Sequence, residues 1–353
     1  MNSEVAAPSF PVLNGRLPTD DQPTMATAAA FKDAVDSLRR YIGGTEFGPG
    51  LRPLLACLAG PLDQHVVPER PPFLPLILPL LVRGGIDGRA ERALPVAVAS
   101  GLLFLSFDLL DDLQDGDDRR WWRPLSRGEL LLAAATFPAT LPQRLLLGVG
   151  LEAEVAAALS HALSNGLLEI AEGQARDLAG LNASYADPVA VEASVAGKSG
   201  AQMGLYARMA ALAAGSGEDE AGQWASWAHG IGTAGQLGSD LQDLLDPVWS
   251  RDLAAGARTL PIAFALHSLD GDARSELLVL LDAAKVERQA QLQAIEQIRG
   301  CGGMIFAAFR SRIHLVRSEQ ALERLKCPPA WRTLLGRLPA AQTLHDLLGA
   351  EAP

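Results

Sequence analysis

The 353-residue sequence predicts an all-α protein, one large helical bundle of the kind that places ligand sites between facing inner helices. Three observations carry the prediction. Alanine and leucine dominate, aromatic residues make up only 5%, and nothing keeps up the period-two alternation of a half-buried strand. Long stretches instead repeat apolar residues at helical spacing, as over residues 151–170, 195–214 and 276–298. Glycine, proline and aspartate punctuate the pattern at Gly84-Gly85, Pro138 to Pro142, Ala179 to Pro188, Gly215 to Gly217 and Gly271, where breaks between helices are expected.

Taken in order, residues 1–25, with Pro8, Pro11, Pro18 and Pro23, read as a flexible lead-in without the pattern of a secretory signal. Residues 26–345 read as the helical domain. The most apolar run, Phe73 to Val82, falls short of the ~20 residues a bilayer crossing needs. Pro75 and Pro79 interrupt it, so a buried helix start is expected and no membrane span. With 48% hydrophobic residues the chain can bury a large core. Its net charge of -11 disfavours nucleic acid, whose backbone needs clustered lysine and arginine, and suits a protein that concentrates a divalent cation. Cys57, Cys301 and Cys327 form no CxxC and are too few for a disulfide framework, so a reducing, cytoplasmic compartment is expected. The histidines are scattered, which argues against zinc. Residues 266–353 carry no interpretable motif, and Arg310, Arg312, His314 and Arg317 read as a solvated basic face.

Chemistry enters with two acidic clusters. Asp108, Asp111, Asp112 and Asp115 follow the apolar Leu102 to Leu105 and precede Asp117-Asp118-Arg119-Arg120. On a helix, positions three and four apart are neighbours, so Asp108, Asp111 or Asp112, and Asp115 share a face and repel unless a cation neutralises them. Hard ions such as Mg²⁺ take oxygen ligands and bridge one or two carboxylates to a substrate phosphate. A second cluster, Asp240, Asp243 and Asp246, recurs every three residues after Gln236. One acidic run alone is an ordinary solvated helix face. Two, each flanked by residues that must be buried, suggest opposing walls of a diphosphate site.

The motifs fall in an order that resembles the trans-polyprenyl diphosphate synthase family, of the class I isoprenoid synthase fold, over roughly residues 45–265. Asp111-Asp112-Leu113-Gln114-Asp115 resembles its DDxxD, and Arg119-Arg120 the arginine pair that follows. Glu172-Gly173-Gln174 is similar to an EGQ segment, and Gly197-Lys198-Ser199-Gly200-Ala201 to the segment whose lysine grips the allylic diphosphate. Gln236 to Asp243 resembles QxxDDxxD, with Asp252 to Gly256 and Thr259-Leu260-Pro261 similar to the downstream DLxxGKxTLP. The resemblance implies Mg²⁺ held by Asp111, Asp112, Asp115, Asp240 and Asp243. It implies a diphosphate bound by Arg119, Arg120, Lys198 and Gln236, with Arg52 and Arg258 contributing, and a homodimer. Chain length would be read just upstream of DDxxD, where Ser106 is small, leaving room past one wall, and Phe107 large.

Departures accompany the matches. Gly48-Pro49-Gly50-Leu51-Arg52-Pro53 stands where GGKRxRP binds isopentenyl diphosphate, and only Arg52 and Pro53 survive of its informative positions. Phe104 stands where the family has a histidine, Ser239 replaces an aspartate, and Ala257 replaces a lysine beside Arg258, whose geometry differs. The reading is a prenyltransferase that ionises an allylic prenyl diphosphate with Mg²⁺ and elongates it with isopentenyl diphosphate. The alternatives are a terpene cyclase or a prenyltransferase to another acceptor, which the altered Gly48 to Pro53 segment favours, and a non-catalytic subunit.

Overall fold

The computed structural model describes residues 22–44, 46–66, 73–116, 119–180 and 183–340, with the side chains of Gln22, Asp115, Arg120, Pro339 and Ala340 outside the description. Among the described residues all regular structure is helical. The first four residues of helix α1 (Gln22–Ile42) fall within the expected lead-in, residues 1–25. Short α2 (Arg52–Ala56) and α3 (Ala59–His65) lead to α4 (Leu74–Asp87) and α5 (Leu94–Asp115). The long hairpin partners α6 (Arg127–Gly148) and α7 (Ala153–Gly180) follow, then α8 (Pro188–Val195), a π-helical turn Ala196–Gly200, and α9 (Ala201–Ala213). Helix α10 (Glu218–Leu244) is succeeded by α11 (Arg251–Ala255), α12 (Leu260–Ser268), α13 (Gly271–Ala283), α14 (Arg288–Gly300), α15 (Gly303–Arg324) and α16 (Pro329–Ala340).

Local chemistry explains the boundaries that matter for the site. Pro95 opens α5, where its missing N–H costs nothing, and Gly116 ends it in the left-handed conformation at φ 76°, which a side chain would strain. The acidic cluster therefore sits on the last turn of a helix that stops abruptly. Ser126 and Glu129 form a reciprocal capping box that restarts the chain as α6.

Two expected breaks are absent. Gly84 and Gly85 lie inside α4 and serve close packing, because a β-carbon on Gly84 would come within 2.1 Å of the Trp331 ring and one on Gly85 within 2.8 Å of Trp224. Pro138 and Pro142 lie inside α6, whose packing along α5 outweighs the hydrogen bonds they omit. Conversely, the continuous pattern over 276–298 splits into α13 and α14, with a turn between Ala284 and Glu287.

Helix α10 is the central post. Trp224 and Trp227 on it are fully buried, and it packs most extensively against α15 and α9. One core joins α1, α4–α7, α9 and the first half of α10; a second joins the end of α10 to α11–α15. The apolar stretches Ala90–Gln114 and Arg127–Gly148 are long and apolar enough to cross a membrane, and 72% and 44% of them, respectively, are buried inside the fold. The former is thus chiefly a core helix. The run at Phe73 to Val82 is buried as expected, within a 14-residue helix.

Candidate active site

Four elements converge at the end of α5. Lys198 projects from the π turn, and its Nζ lies 3.2 Å from Asp111 Oδ1 and 3.8 Å from Asp177 Oδ2. Lys198 and Asp177 are also electrostatic neighbours of Asp240, so Asp111 on α5 and Asp240 on α10 face the same pair of groups. Burial pushes the Asp240 carboxyl up to about 7, with Asp177 and Asp243 adding repulsion and Gln236 and Lys198 only partly offsetting it. Asp111 is likewise raised, foremost by burial, even though 37% of its side chain remains exposed and Lys198 pulls the other way. Both carboxyls are raised foremost by loss of water, with repulsion from Asp177 adding to each.

The backbone explains why Lys198 reaches this point. A π turn inserts an extra residue into the helical ladder, a device that concentrates at functional sites. Here it is wedged between glycines: a β-carbon on Gly173 would lie 2.4 Å from the Gly197 carbonyl carbon, and one on Gly232 only 2.4 Å from the Ser199 oxygen. Ser199 Oγ donates to Gln236 Oε1 at 3.1 Å, and Gln236 Nε2 donates to Asp240 Oδ1 at 2.8 Å. This relay ties the lysine turn to the acidic wall across from it.

Other candidates are placed differently. Asp112 turns away from Asp111 and accepts two hydrogen bonds from Arg119, at 3.0 and 2.6 Å, in a buried ion pair. Such fork geometry orients the arginine strongly. Asp243 accepts from Ser250 Oγ at 2.6 Å and from the backbone N–H groups of Arg251 and Asp252, both at 3.0 Å. Both its oxygens hold the start of α11. Asp246 accepts from the N–H groups of Val248 and Trp249, which keeps its carboxyl below the usual range. Arg258 donates to the carbonyls of Ala183 at 2.9 Å and Gly256 at 3.1 Å, so it fastens a loop where a diphosphate contact was expected. Arg52 donates from Nε to the Phe47 carbonyl at 3.0 Å, and Phe47 in turn lies under Arg144 of α6. The side chains of Asp115 and Arg120 lie outside the described residues.

Ser106 is fully buried and its hydroxyl donates to Leu102 O at 2.7 Å, which leaves no room beside it and corrects the open wall expected there. Phe107 is half-buried, and Phe104 packs edge-on against both His65 and Phe73 at 5.2 and 5.0 Å. Trp122 is core, and Trp121 lies over Gly60. Only part of the basic stretch on α15 is a solvated face: Arg310 and His314 bind Glu192 and Arg312 binds Glu319, while Arg317 is exposed.

Asp177 is the residue that motif reading missed. It stands one helical turn after Gln174, and that spacing on the face carrying Gly173 was the available signal.

Helical architecture and a lysine among carboxylates on facing helices define a class of protein that handles anionic, phosphate-bearing ligands inside an all-α bundle. The sequence model for polyprenyl synthetases matches residues 70–298, and the chain belongs to that family. It is 27% identical over 246 residues to a short chain isoprenyl diphosphate synthase of Methanocaldococcus jannaschii, covering 65% of this chain and 71% of the relative. It is 28% identical over 300 residues to a (2E,6E)-farnesyl diphosphate synthase of Mycobacterium bovis, covering 79% and 82%. Among solved structures it resembles geranylgeranyl pyrophosphate synthetase from Pyrococcus horikoshii, with a TM-score of 0.76 at 22% identity, covering 91% of this chain and 98% of that one. That likeness establishes the shared helical fold.

Proposed function

We propose that this chain transfers an allylic prenyl group from its diphosphate to isopentenyl diphosphate, giving a longer prenyl diphosphate and pyrophosphate. The convergence of Asp111, Asp177 and Asp240 on Lys198 is the observation that supports it. Cleavage of the allylic carbon–oxygen bond leaves both electrons on the diphosphate, so the barrier is charge separation. Lys198 supplies a charge-assisted hydrogen bond to the departing oxygens, while Arg119, expected in the same role, is engaged by Asp112. The terminal alkene carbon of isopentenyl diphosphate then bonds to the allylic carbon. This leaves a tertiary cation on the neighbouring alkene carbon, and loss of a proton from the next carbon along, C2, with pyrophosphate as acceptor, forms the new double bond.

Mg²⁺ fits this donor set. Asp111, Asp177 and Asp240 bring hard carboxylate oxygens to one lysine, the ligand type Mg²⁺ takes. Mg²⁺ typically takes one or two protein carboxylates and completes its shell with water and substrate phosphate. Asp111 and Asp240 are the holders on this reading, with Asp115 on the same turn; Asp243 serves α11 instead. When bound, the ion neutralises the charge growing on the leaving group.

Half-buried Phe107, four residues before Asp111, is the residue we assign to limiting chain length, in place of Ser106. The protein acts as a homodimer in the cytoplasm on this reading. Incubation with Mg²⁺ and geranyl, farnesyl or geranylgeranyl diphosphate, with and without isopentenyl diphosphate, tests the proposal by product mass. Longer diphosphates are expected only when isopentenyl diphosphate is present; hydrocarbons or alcohols formed without it, or no turnover, would refute elongation.

A further inference from the structure

The segment without motifs supplies two members of a largely buried ionic cluster. On α8, the Glu192 carboxylate accepts from Arg310 Nε and Nη2 at 2.7 Å each, and from His314 Nε2 at 2.7 Å, both partners lying on α15. Glu192 is 13% exposed and His314 11%. Burial alone would raise the glutamate; the hydrogen bonds from Arg310 and His314 outweigh it and bring it below the usual carboxylate range. Three converging hydrogen bonds are more than an eight-residue helix needs for surface attachment.

What α8 leads into gives the cluster its meaning. The π turn begins immediately after it, and Lys198 lies six residues beyond Glu192. Ser194 Oγ donates to the Gly173 carbonyl at 2.9 Å, fastening the same helix to α7. Helix α15 meanwhile grips the opposite wall: Ser311 Oγ donates to Ala234 O at 3.0 Å, and Ser318 Oγ to Trp227 O at 2.7 Å, both on α10. A β-carbon on Gly230 of α10 would lie 2.9 Å from the His314 carbonyl oxygen, so the two helices touch backbone to backbone. One rigid helix thus holds both the segment carrying Lys198 and the helix carrying Gln236 and Asp240. His229 on α10 completes the enclosure, since a β-carbon on Gly200 would come within 2.9 Å of its Nε2.

We propose that Glu192, Arg310 and His314 are positioning residues that set the placement of Lys198 against the acidic wall, with α15 as the brace between the two. The inference rests on the reading of Lys198 as a diphosphate ligand. Breaking the clamp frees α8 to shift. A misplaced Lys198 weakens its hold on pyrophosphate and lowers kcat more than it raises KM, because the lysine contact strengthens as charge develops on the leaving group.

A double-mutant cycle tests this, with affinity for inorganic pyrophosphate in the presence of Mg²⁺ measured by calorimetry and kcat and KM measured on geranyl diphosphate. Glu192→Gln is expected to weaken pyrophosphate binding on the order of tenfold, and Lys198→Ala made in that background to lose far less than it does alone. Arg310→Lys, which keeps the charge but one fork fewer, is expected to fall between Glu192→Gln and wild type. A merely structural clamp would lower the melting temperature but leave the two losses independent. Multiplicative losses, or unchanged pyrophosphate affinity in both Glu192→Gln and Arg310→Lys, would overturn the inference. Failure of wild type to bind pyrophosphate or to elongate any substrate would instead overturn the functional reading beneath it.

Discussion

Lys198 and Asp240 present opposite halves of one electrostatic problem. The lysine is the cation that three carboxylates share, and a charge-assisted hydrogen bond of its kind contributes about 1.5–3 kcal/mol. Lys198→Ala is therefore expected to weaken pyrophosphate binding and reduce kcat/KM by roughly 10- to 150-fold at about 1.4 kcal/mol per tenfold. Calorimetry and steady-state kinetics measure the two. Asp240 carries the cost of the arrangement. Its folded carboxyl, raised to about 7 from an ordinary 3.8, binds more protons than the unfolded chain does. Stability contributed by this group must then fall as pH rises from that ordinary value through about 7, and level off above. Asp240→Asn removes the penalty. In Mg²⁺-free buffer the variant should melt above wild type at about pH 8 and converge with it near pH 4, while losing activity. A wild-type melting temperature that climbs with pH relative to the variant would show that Asp240 is not the strained group.

At the scale of elements, the contact between α7 and the π turn is the tightest test. Gly173→Ala would set a β-carbon 2.4 Å from backbone, not from a flexible side chain, so the turn must move. Overpacking of this kind costs about 1–3 kcal/mol, and here it displaces Lys198 as well. The variant should lose both melting temperature and activity, whereas Gly180→Ala, with nothing within 4 Å of its β-carbon, should lose neither. Helix α5 offers a second contrast. Ser106→Tyr forces a large ring into a fully buried position and is expected to destabilise by about 1–3 kcal/mol in denaturant titration. Phe107→Ala, at a half-buried position, is expected to fold and to shift products toward longer chains, read by mass. Unchanged product length in that variant would remove Phe107 from the specificity argument.

For the whole molecule, a site divided among α5, α7, the π turn and α10 couples ligand binding to global stability. Mg²⁺ with pyrophosphate at about 100 times its dissociation constant should add ~2.7 kcal/mol. For a chain of this size that corresponds to roughly 4 °C in melting temperature. The shift should vanish on adding a chelator and shrink strongly in Lys198→Ala; scanning calorimetry with and without chelator measures it. Either ligand alone should give a smaller shift, because the ion and the phosphate complete each other's shell.

Helical class and the acids near the end of α5 were legible because periodicity and like-charge crowding are local properties of a chain. So was Lys198, which sits in a recognisable short segment. What residues contact across helices was not local. Gly84-Gly85 reads as a break but is a packing surface, because Trp331 and Trp224 arrive from elsewhere. Asp243 has the spacing of a metal ligand but is committed to α11, whose first N–H groups arrive eight and nine residues later. Arg310 and His314 look like solvent-facing charge until Glu192 meets them from 118 and 122 residues away. From the sequence alone came the kind of fold, the family likeness and the inventory of charges. Which carboxylate faces the lysine, which merely caps a helix, and which helix braces the two walls were decided in three dimensions, since burial and opposing charge depend on neighbours that only folding supplies.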